Sequence, residues 1–333
     1  MKALVYLGPR RMEVEERPDP WPESGEVVIR SRASAICGSD LHGFREASPR
    51  RIPPLVMGHE TVGDIAAVGE GVDARRLGEH VVLKPILSCG ECPRCRVGAI
   101  NHCASGRLVG RDLTGGFAEL FAVPSSAAVP IPDGLTADLA VLTEPFANAV
   151  HVGNRDVREG DTVFVIGSGP IGVLMVRAAF LHGAARVLVT DTAAERLRFA
   201  EAQGAEAITG DTEAAVLECT EGDGADLVID AAGFEATWGL GLKTAKVGGR
   251  IAQVGLGAAS GSLDYFAVLG KEVTITGSYA WTEADFARSL ELLAAGELDP
   301  AGWITKMPLH DGQRAFEQLV DGAGPFKVVL EGP

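Results

Sequence analysis

Four cysteines, Cys89, Cys92, Cys95 and Cys103, stand at the spacing C-x2-C-x2-C-x7-C. Four thiolates in so short a loop can wrap one tetrahedral ion and close its coordination shell, as in a structural zinc site. The ferredoxin-type run C-x2-C-x2-C-x3-C-P is the rival pattern. Here the last gap is longer and Ala104, not proline, follows, which favours zinc. Gly90, Glu91, Pro93 and Arg94 lie among the thiols and are not core residues, so ligation explains the cysteines better than burial.

A second stretch, residues 162–173, reads T-V-F-V-I-G-S-G-P-I-G-V. The apolar run Val163 to Ile166 has the character of a buried strand. Gly167, Gly169 and Gly172 then give G-x-G-x-x-G, and Pro170 with Ile171 opens a helical run to Leu181. Such glycines make the tight turn, admit a pyrophosphate to the backbone and let helix pack on strand. The free N–H groups at the helix start hold phosphate. Asp191 ends the next strand, Arg186 to Thr190, 19 residues beyond Gly172, close to the ~20 expected of the acid that bonds the ribose hydroxyls. An aspartate there repels a 2′-phosphate, which favours NAD over NADP. Arg196, one turn into the following helix, reaches the same ribose or lies on a solvated face.

A third set is weaker. Cys37, Gly38, Ser39, Asp40, Leu41 and His42 follow an apolar strand, and His59 lies 22 residues after Cys37, between Gly58 and Glu60. Thr143, Glu144 and Pro145 come just before the nucleotide unit. Cys37, His59 and a carboxylate would supply three ligands and leave a fourth position open, the catalytic pattern for zinc. Each alone has an ordinary reading: a core thiol, a satisfied structural imidazole, a solvated carboxylate.

The elements that must position these groups fall into two kinds. Residues 1 to about 148 are rich in Val, Gly and Pro, with short runs such as Glu26 to Arg32 and frequent turn signals, which predicts a mostly β domain. From about 149 to 282 strands and helices alternate, which predicts an α/β unit with a doubly wound parallel sheet. Its expected elements include a helix over Glu235 to Val247 and strands at Arg250 to Val254 and Val273 to Gly277. The tail, about 283–333, holds expected helices at Thr282 to Ala295 and Asp311 to Val320 and a strand at Lys327 to Glu331, and is expected to return to the first domain. A chain of 333 residues fits two domains. Its net charge of −15 argues against nucleic-acid or anionic-membrane partners. Met1 to Arg10 lacks the apolar run of a signal peptide, and no run is long enough to span a bilayer, so a cytoplasmic protein is expected.

Taken together the C-G-S-D run at Cys37, the G-H-E run at Gly58, the four-cysteine loop, the G-G-F-A-E run from Gly115 to Glu119, Glu144 with Pro145, and the nucleotide turn occur in a characteristic order. The chain resembles, over essentially its whole length, the zinc-dependent medium-chain alcohol dehydrogenases, especially the sorbitol, butanediol and threonine dehydrogenase branch. That resemblance implies a GroES-like β domain, a Rossmann domain and an active site in the cleft between them. It implies two zinc ions per chain and NAD. Cys37 and His59 match the catalytic zinc ligands, Glu60 and Glu144 the two carboxylates of this branch, and the four-cysteine loop the structural site. Ser39 and His42 match the hydroxyl and imidazole that carry the substrate proton outward through the nicotinamide ribose.

The activity implied is reversible oxidation of an alcohol to a ketone, with zinc acidifying the substrate hydroxyl and the nicotinamide taking hydride. Sorbitol, butanediol, sugar-phosphate and cyclitol substrates all remain open. L-Threonine 3-dehydrogenase is the specific alternative, since the run E-P-F-A-N-A-V-H from Glu144 resembles that enzyme, although the stretch His42 to Glu46 lacks its tryptophan-bearing run. A catalytically silent NAD-binding relative and the metal-free quinone reductase branch are the other rivals; the complete ligand set disfavours both. Phe44, Arg45, Phe146 and Ala147 follow motif residues and either line the substrate pocket or simply pack. Relatives are homodimers or homotetramers.

Overall fold

The computed structural model describes residues 1–332. Its contacts divide the chain into two compact units, Met1–Glu144 with Thr282–Pro333, and Pro145–Trp281.

In the first unit, the strand Glu26–Ala35 is the hub. It pairs antiparallel with Glu60–Val68, with Leu120–Pro124 and with Lys327–Glu331. Its apolar alternation places Val27 and Ile29 in one core with Ile65, Val81, Phe121 and Val123. A second core gathers Leu4, Tyr6, Phe44, Phe117 and Phe316. The Phe44 ring lies 5.2 Å from that of Phe316, and Phe117 meets Phe316 edge-on at 5.9 Å. Phe44 is therefore a packing residue, not a pocket wall.

The second unit is a six-stranded parallel sheet in the spatial order Glu206–Ala207, Arg186–Thr190, Thr162–Ile166, Ala225–Asp230, Ala245–Gln253, Thr274–Gly277. That is the doubly wound order, with the first strand of the unit at the centre where the winding reverses. Val163, Phe164 and Val165 are fully buried, as expected of a strand covered on both faces, each worth about 2 kcal/mol of burial. Phe146 and Ala147 are fully buried as well.

Three elements differ from the sequence expectation. The helix Glu235–Thr244 stops three residues early, and Ala245 already pairs with Ala225. Lys271 Nζ fixes this end by donating to the carbonyls of Leu242, Lys243 and Ala245, a cation placed on the negative end of the helix. The helix Tyr265–Lys271 has no buried residue, and its run Y-F-A-V-L is apolar without a break, so no polar–apolar period announces it. The strand Ile304–Pro308, parallel to Lys327–Glu331, alternates too weakly to be read.

Candidate active site and metal centres

The strand Glu26–Ala35 delivers Cys37, which caps the helix Gly38–Arg45. The strand Glu60–Val68 begins one residue after His59. Gly58 makes the approach possible: its φ is +98°, and a Cβ there would meet the Phe117 amide nitrogen at 2.7 Å. One donor atom each from Cys37, His59 and Glu60 lies within 4.8 Å of the others. His59 is 4% exposed and Glu60 1%.

Charge decides the state of this cluster. Burial pulls the His59 pKa down, but Asp40, Cys37 and Glu144 more than offset it and push it up to about 10. The surrounding acids thus trap a proton on His59, a positive charge that a divalent cation can supply instead. Glu144, in the first turn of the helix Thr143–Asp156, belongs to the same electrostatic group and is 8% exposed. A half-buried thiol with a buried imidazole and buried carboxylates, short of positive charge, fits zinc. Glu60 is balanced on its other side by Lys327, whose Nζ lies 2.6 Å from Glu60 Oε2 and also donates to the Ile36 carbonyl.

Asp40 sits beneath these ligands, fully buried. It accepts from the Cys37 N–H at 3.3 Å and from Arg51 Nη2 at 2.9 Å, and lies 3.5 Å from His59 Nδ1. With Nδ1 turned to Asp40, Nε2 is the ring nitrogen left to ligate. The Ser39 hydroxyl donates toward Cys37 Sγ at 3.5 Å and accepts from Arg51 at 3.0 Å. His42 projects from the same helix with its ring half exposed, its Nε2 3.9 Å from Glu46.

The four-cysteine loop is equally compact. The Sγ separations are 3.9 Å for Cys89–Cys95, 3.5 Å for Cys92–Cys95 and 3.5 Å for Cys89–Cys103. A tetrahedral ion with bonds of about 2.3 Å requires sulfurs about 3.8 Å apart. Backbone N–H groups already point at sulfur, Cys89 to Cys103 and Cys92 to Cys89. Those of Cys92 and Glu91 bring the Cys89 thiol down to about 6, whereas loss of water and the neighbouring sulfurs push Cys95 up to about 11. The preformed sulfur geometry fits a structural zinc.

In the second unit Gly167 has φ +96°, and a Cβ on Gly172 would lie 1.8 Å from the Gly167 carbonyl oxygen. Gly169 caps the helix Pro170–Leu181, with Pro170 and Ile171 in its first turn. Asp191 holds the turn from beside: it accepts from the Ser168 N–H at 2.6 Å and the Ala193 N–H at 2.8 Å. Arg196 lies in the first turn of the helix Ala194–Glu201.

The sequence reading assigned no role to Asp40, Arg51 or Lys327. Asp40 carried a signal, since an acid three residues after a helix-capping position closes a capping box. Lys327 carried a fainter one, a charge opening the apolar run K-V-V-L. Arg51, in P-R-R-I, carried none.

Comparison with known proteins places these features in context. Residues 23–133 match the family model of the alcohol dehydrogenase GroES-like domain, and residues 170–295 that of zinc-binding dehydrogenase. A probable D-xylulose reductase A of Arthroderma otae is 31% identical over 99% of this chain and 97% of its own. An L-threonine 3-dehydrogenase of Pectobacterium atrosepticum is 33% identical over 99% and 94%. The solved structure of an Escherichia coli alcohol dehydrogenase, RspB, complexed with NADH is 33% identical, with a TM-score of 0.91 over 99% of both chains.

Proposed function

Because the chain belongs to the zinc-binding dehydrogenases that carry an alcohol dehydrogenase GroES-like domain, and is on that ground a zinc-dependent oxidoreductase working with NAD, we propose that its substrate is a secondary alcohol of polyol, diol, cyclitol or sugar-derived kind, oxidised reversibly to the ketone. The observation that carries this reading is the donor triangle of half-buried Cys37 with buried His59 and Glu60. The similarity to a D-xylulose reductase supports the polyol class, since a ketose is the oxidised partner of a polyol.

In this reading Cys37 and His59 hold the catalytic zinc with a carboxylate. Glu60 is the carboxylate of the donor triangle, and Glu144 is the second candidate. Cys89, Cys92, Cys95 and Cys103 hold the structural zinc. When bound, zinc supplies Lewis acidity to a substrate hydroxyl and NAD accepts hydride. The chain's own residues do the rest. Ser39 takes the hydroxyl proton, and His42, at the surface, hands it to water. Asp40 fixes the His59 ring. Lys327 holds Glu60 in place through its ion pair. Gly167, Gly169, Pro170, Ile171 and Gly172 present backbone to the pyrophosphate. Asp191 spends one lone pair per oxygen on the turn and keeps others for the ribose hydroxyls; Arg196 flanks it.

Residues 1–148 with about 283–333 form the catalytic domain in this reading, and 149–282 the NAD-binding domain. We infer a homodimer or homotetramer, supported by Thr274–Gly277, an unpaired edge strand of the parallel sheet with Ile275 39% exposed. The cytoplasm is the compartment that suits its free cysteines; no helix among the described residues is long and apolar enough to cross a membrane. L-Threonine 3-dehydrogenase is the second reading, favoured by the Pectobacterium relative. The deciding experiment is NADH formation with polyols, diols, cyclitols, sugar phosphates and threonine, with NAD and NADP in parallel. Turnover on a polyol or diol supports the proposal. Turnover on threonine alone supports the second reading, and turnover on none, with NAD and zinc bound, would favour a silent relative.

A further inference from the structure

Arg51 is 7% exposed, and arginine is almost never buried unless paired. Its Nη2 makes two contacts at once, 2.9 Å to Asp40 Oδ1 and 3.0 Å to Ser39 Oγ. Its Nε is buried with no partner. The arginine therefore does not sit here to satisfy its own donors. Its stem needs room as well: a Cβ on Gly43 would lie 2.3 Å from Arg51 Cδ. Gly43 occupies the helix Gly38–Arg45, where glycine weakens the helix. The chain thus gives up a better helix former at the position that admits the guanidinium.

We propose that Arg51 is a positioning residue of the catalytic centre, a clamp that holds the Ser39 hydroxyl and the Asp40 carboxylate in fixed bearing on Cys37 and His59. This rests on the reading above, in which Ser39 relays the proton and Cys37 and His59 hold zinc. A hydroxyl has one proton and two lone pairs. Arg51 occupies one lone pair of Ser39. The other is left to receive the substrate proton, while the hydroxyl turns its own proton away from Cys37 Sγ and gives it up along the relay to His42 and water; the oxygen stays neutral and protons balance. At Asp40, Arg51 and His59 Nδ1 share Oδ1, so the guanidinium sets where that oxygen stands. A lysine, with a point charge on a flexible stem, cannot reproduce the planar, directed donor.

The test uses full-length protein with three substitutions: Arg51→Met, Arg51→Lys and Gly43→Ala. The last leaves every polar group in place and displaces the guanidinium by crowding alone. For Arg51→Met and Gly43→Ala, kcat is expected to fall about 10- to 100-fold, as for other lost outer-shell partners of metal ligands. The alcohol KM and the NAD Kd should change little, and Arg51→Lys should fall between. The solvent deuterium isotope effect on kcat should rise, since proton transfer through a misdirected Ser39 becomes slow. Release of the Cys37-site zinc to a colorimetric chelator should quicken, a readout independent of turnover. Wild-type kcat, isotope effect and zinc release in Gly43→Ala and Arg51→Met would overturn the proposal. Should Arg51→Met fail to fold, Gly43→Ala and Arg51→Lys decide it on the same measures. A wild-type protein that holds no zinc at Cys37, or turns over equally without it, overturns both the clamp and the reading beneath it. That outcome is told apart because it appears in the wild type.

Discussion

Lys327 and Glu60 are 4% and 1% exposed and 2.6 Å apart. Breaking a buried pair by removing one partner costs about 3–5 kcal/mol, because the other charge is left alone. Lys327→Met should therefore destabilise the zinc-free protein by about that much, and the zinc-loaded protein by less, since a cation at Cys37 and His59 relieves Glu60. Denaturation with and without zinc checks this, and equal losses in both states would argue that Glu60 does not face the metal. The pH dependence has a definite sign. Burial lowers the Lys327 pKa, but Glu60, Cys37 and Glu144 more than offset it and leave it raised. A base with a raised folded pKa contributes its full stability below the unfolded value and loses it only as pH rises through the folded one. The pair should hold through neutral pH and fail in alkali. Gly172→Ala sets a side chain against the Gly167 carbonyl at 1.8 Å. It should cost about 1–3 kcal/mol in stability and weaken NAD binding in calorimetric titration, because the turn must open. Cys37, His59, Glu60 and the glycines were legible in the sequence as candidates by type and spacing, and the fold brings donor atoms of the first three within 4.8 Å of one another. Arg51 was not, because the burial of a charge depends on which distant groups the fold brings to it, here Ser39 and Asp40 across a loop.

At the scale of elements, legibility followed apolar patterning. The strand Lys327–Glu331 has the bounds read from the sequence, since K-V-V-L-E is buried through its first four residues. The helix read through Val247 ends at Thr244 because Lys271, remote in sequence, takes its last carbonyls. Tyr265–Lys271 was invisible because Y-F-A-V-L is apolar throughout and shows no helical period. The four-cysteine loop is an element of another kind, with little core of its own: its α-helix Pro93–Arg96 has no buried residue, and Ile100 is the buried residue of its 3-10 turn Ile100–His102. Cys103→Ser should therefore unravel this loop locally. Limited proteolysis should cut between residues 89 and 103 in the variant and not in the wild type, while NAD affinity stays unchanged. Protection equal to wild type would show that the loop holds without its fourth sulfur.

At the scale of the whole molecule, the two sequence textures correspond to two ways of folding. Antiparallel strands around Glu26–Ala35 bring the groups of the site together from positions as far apart as Cys37 and Lys327. The parallel unit keeps its glycine turn and Asp191 within one local strand–helix–strand segment, which is why that candidate site could be picked from local sequence alone. In the proposed reading turnover depends on a zinc held by Cys37 and His59. The most direct measurement is zinc content and NADH formation in wild type and Cys37→Ala, before and after chelation and zinc return. The account predicts two zincs per chain in wild type, one in the variant, NAD binding in both, and turnover only in wild type, lost on chelation and restored by zinc. Turnover in Cys37→Ala at the wild-type rate with chelator present would contradict it.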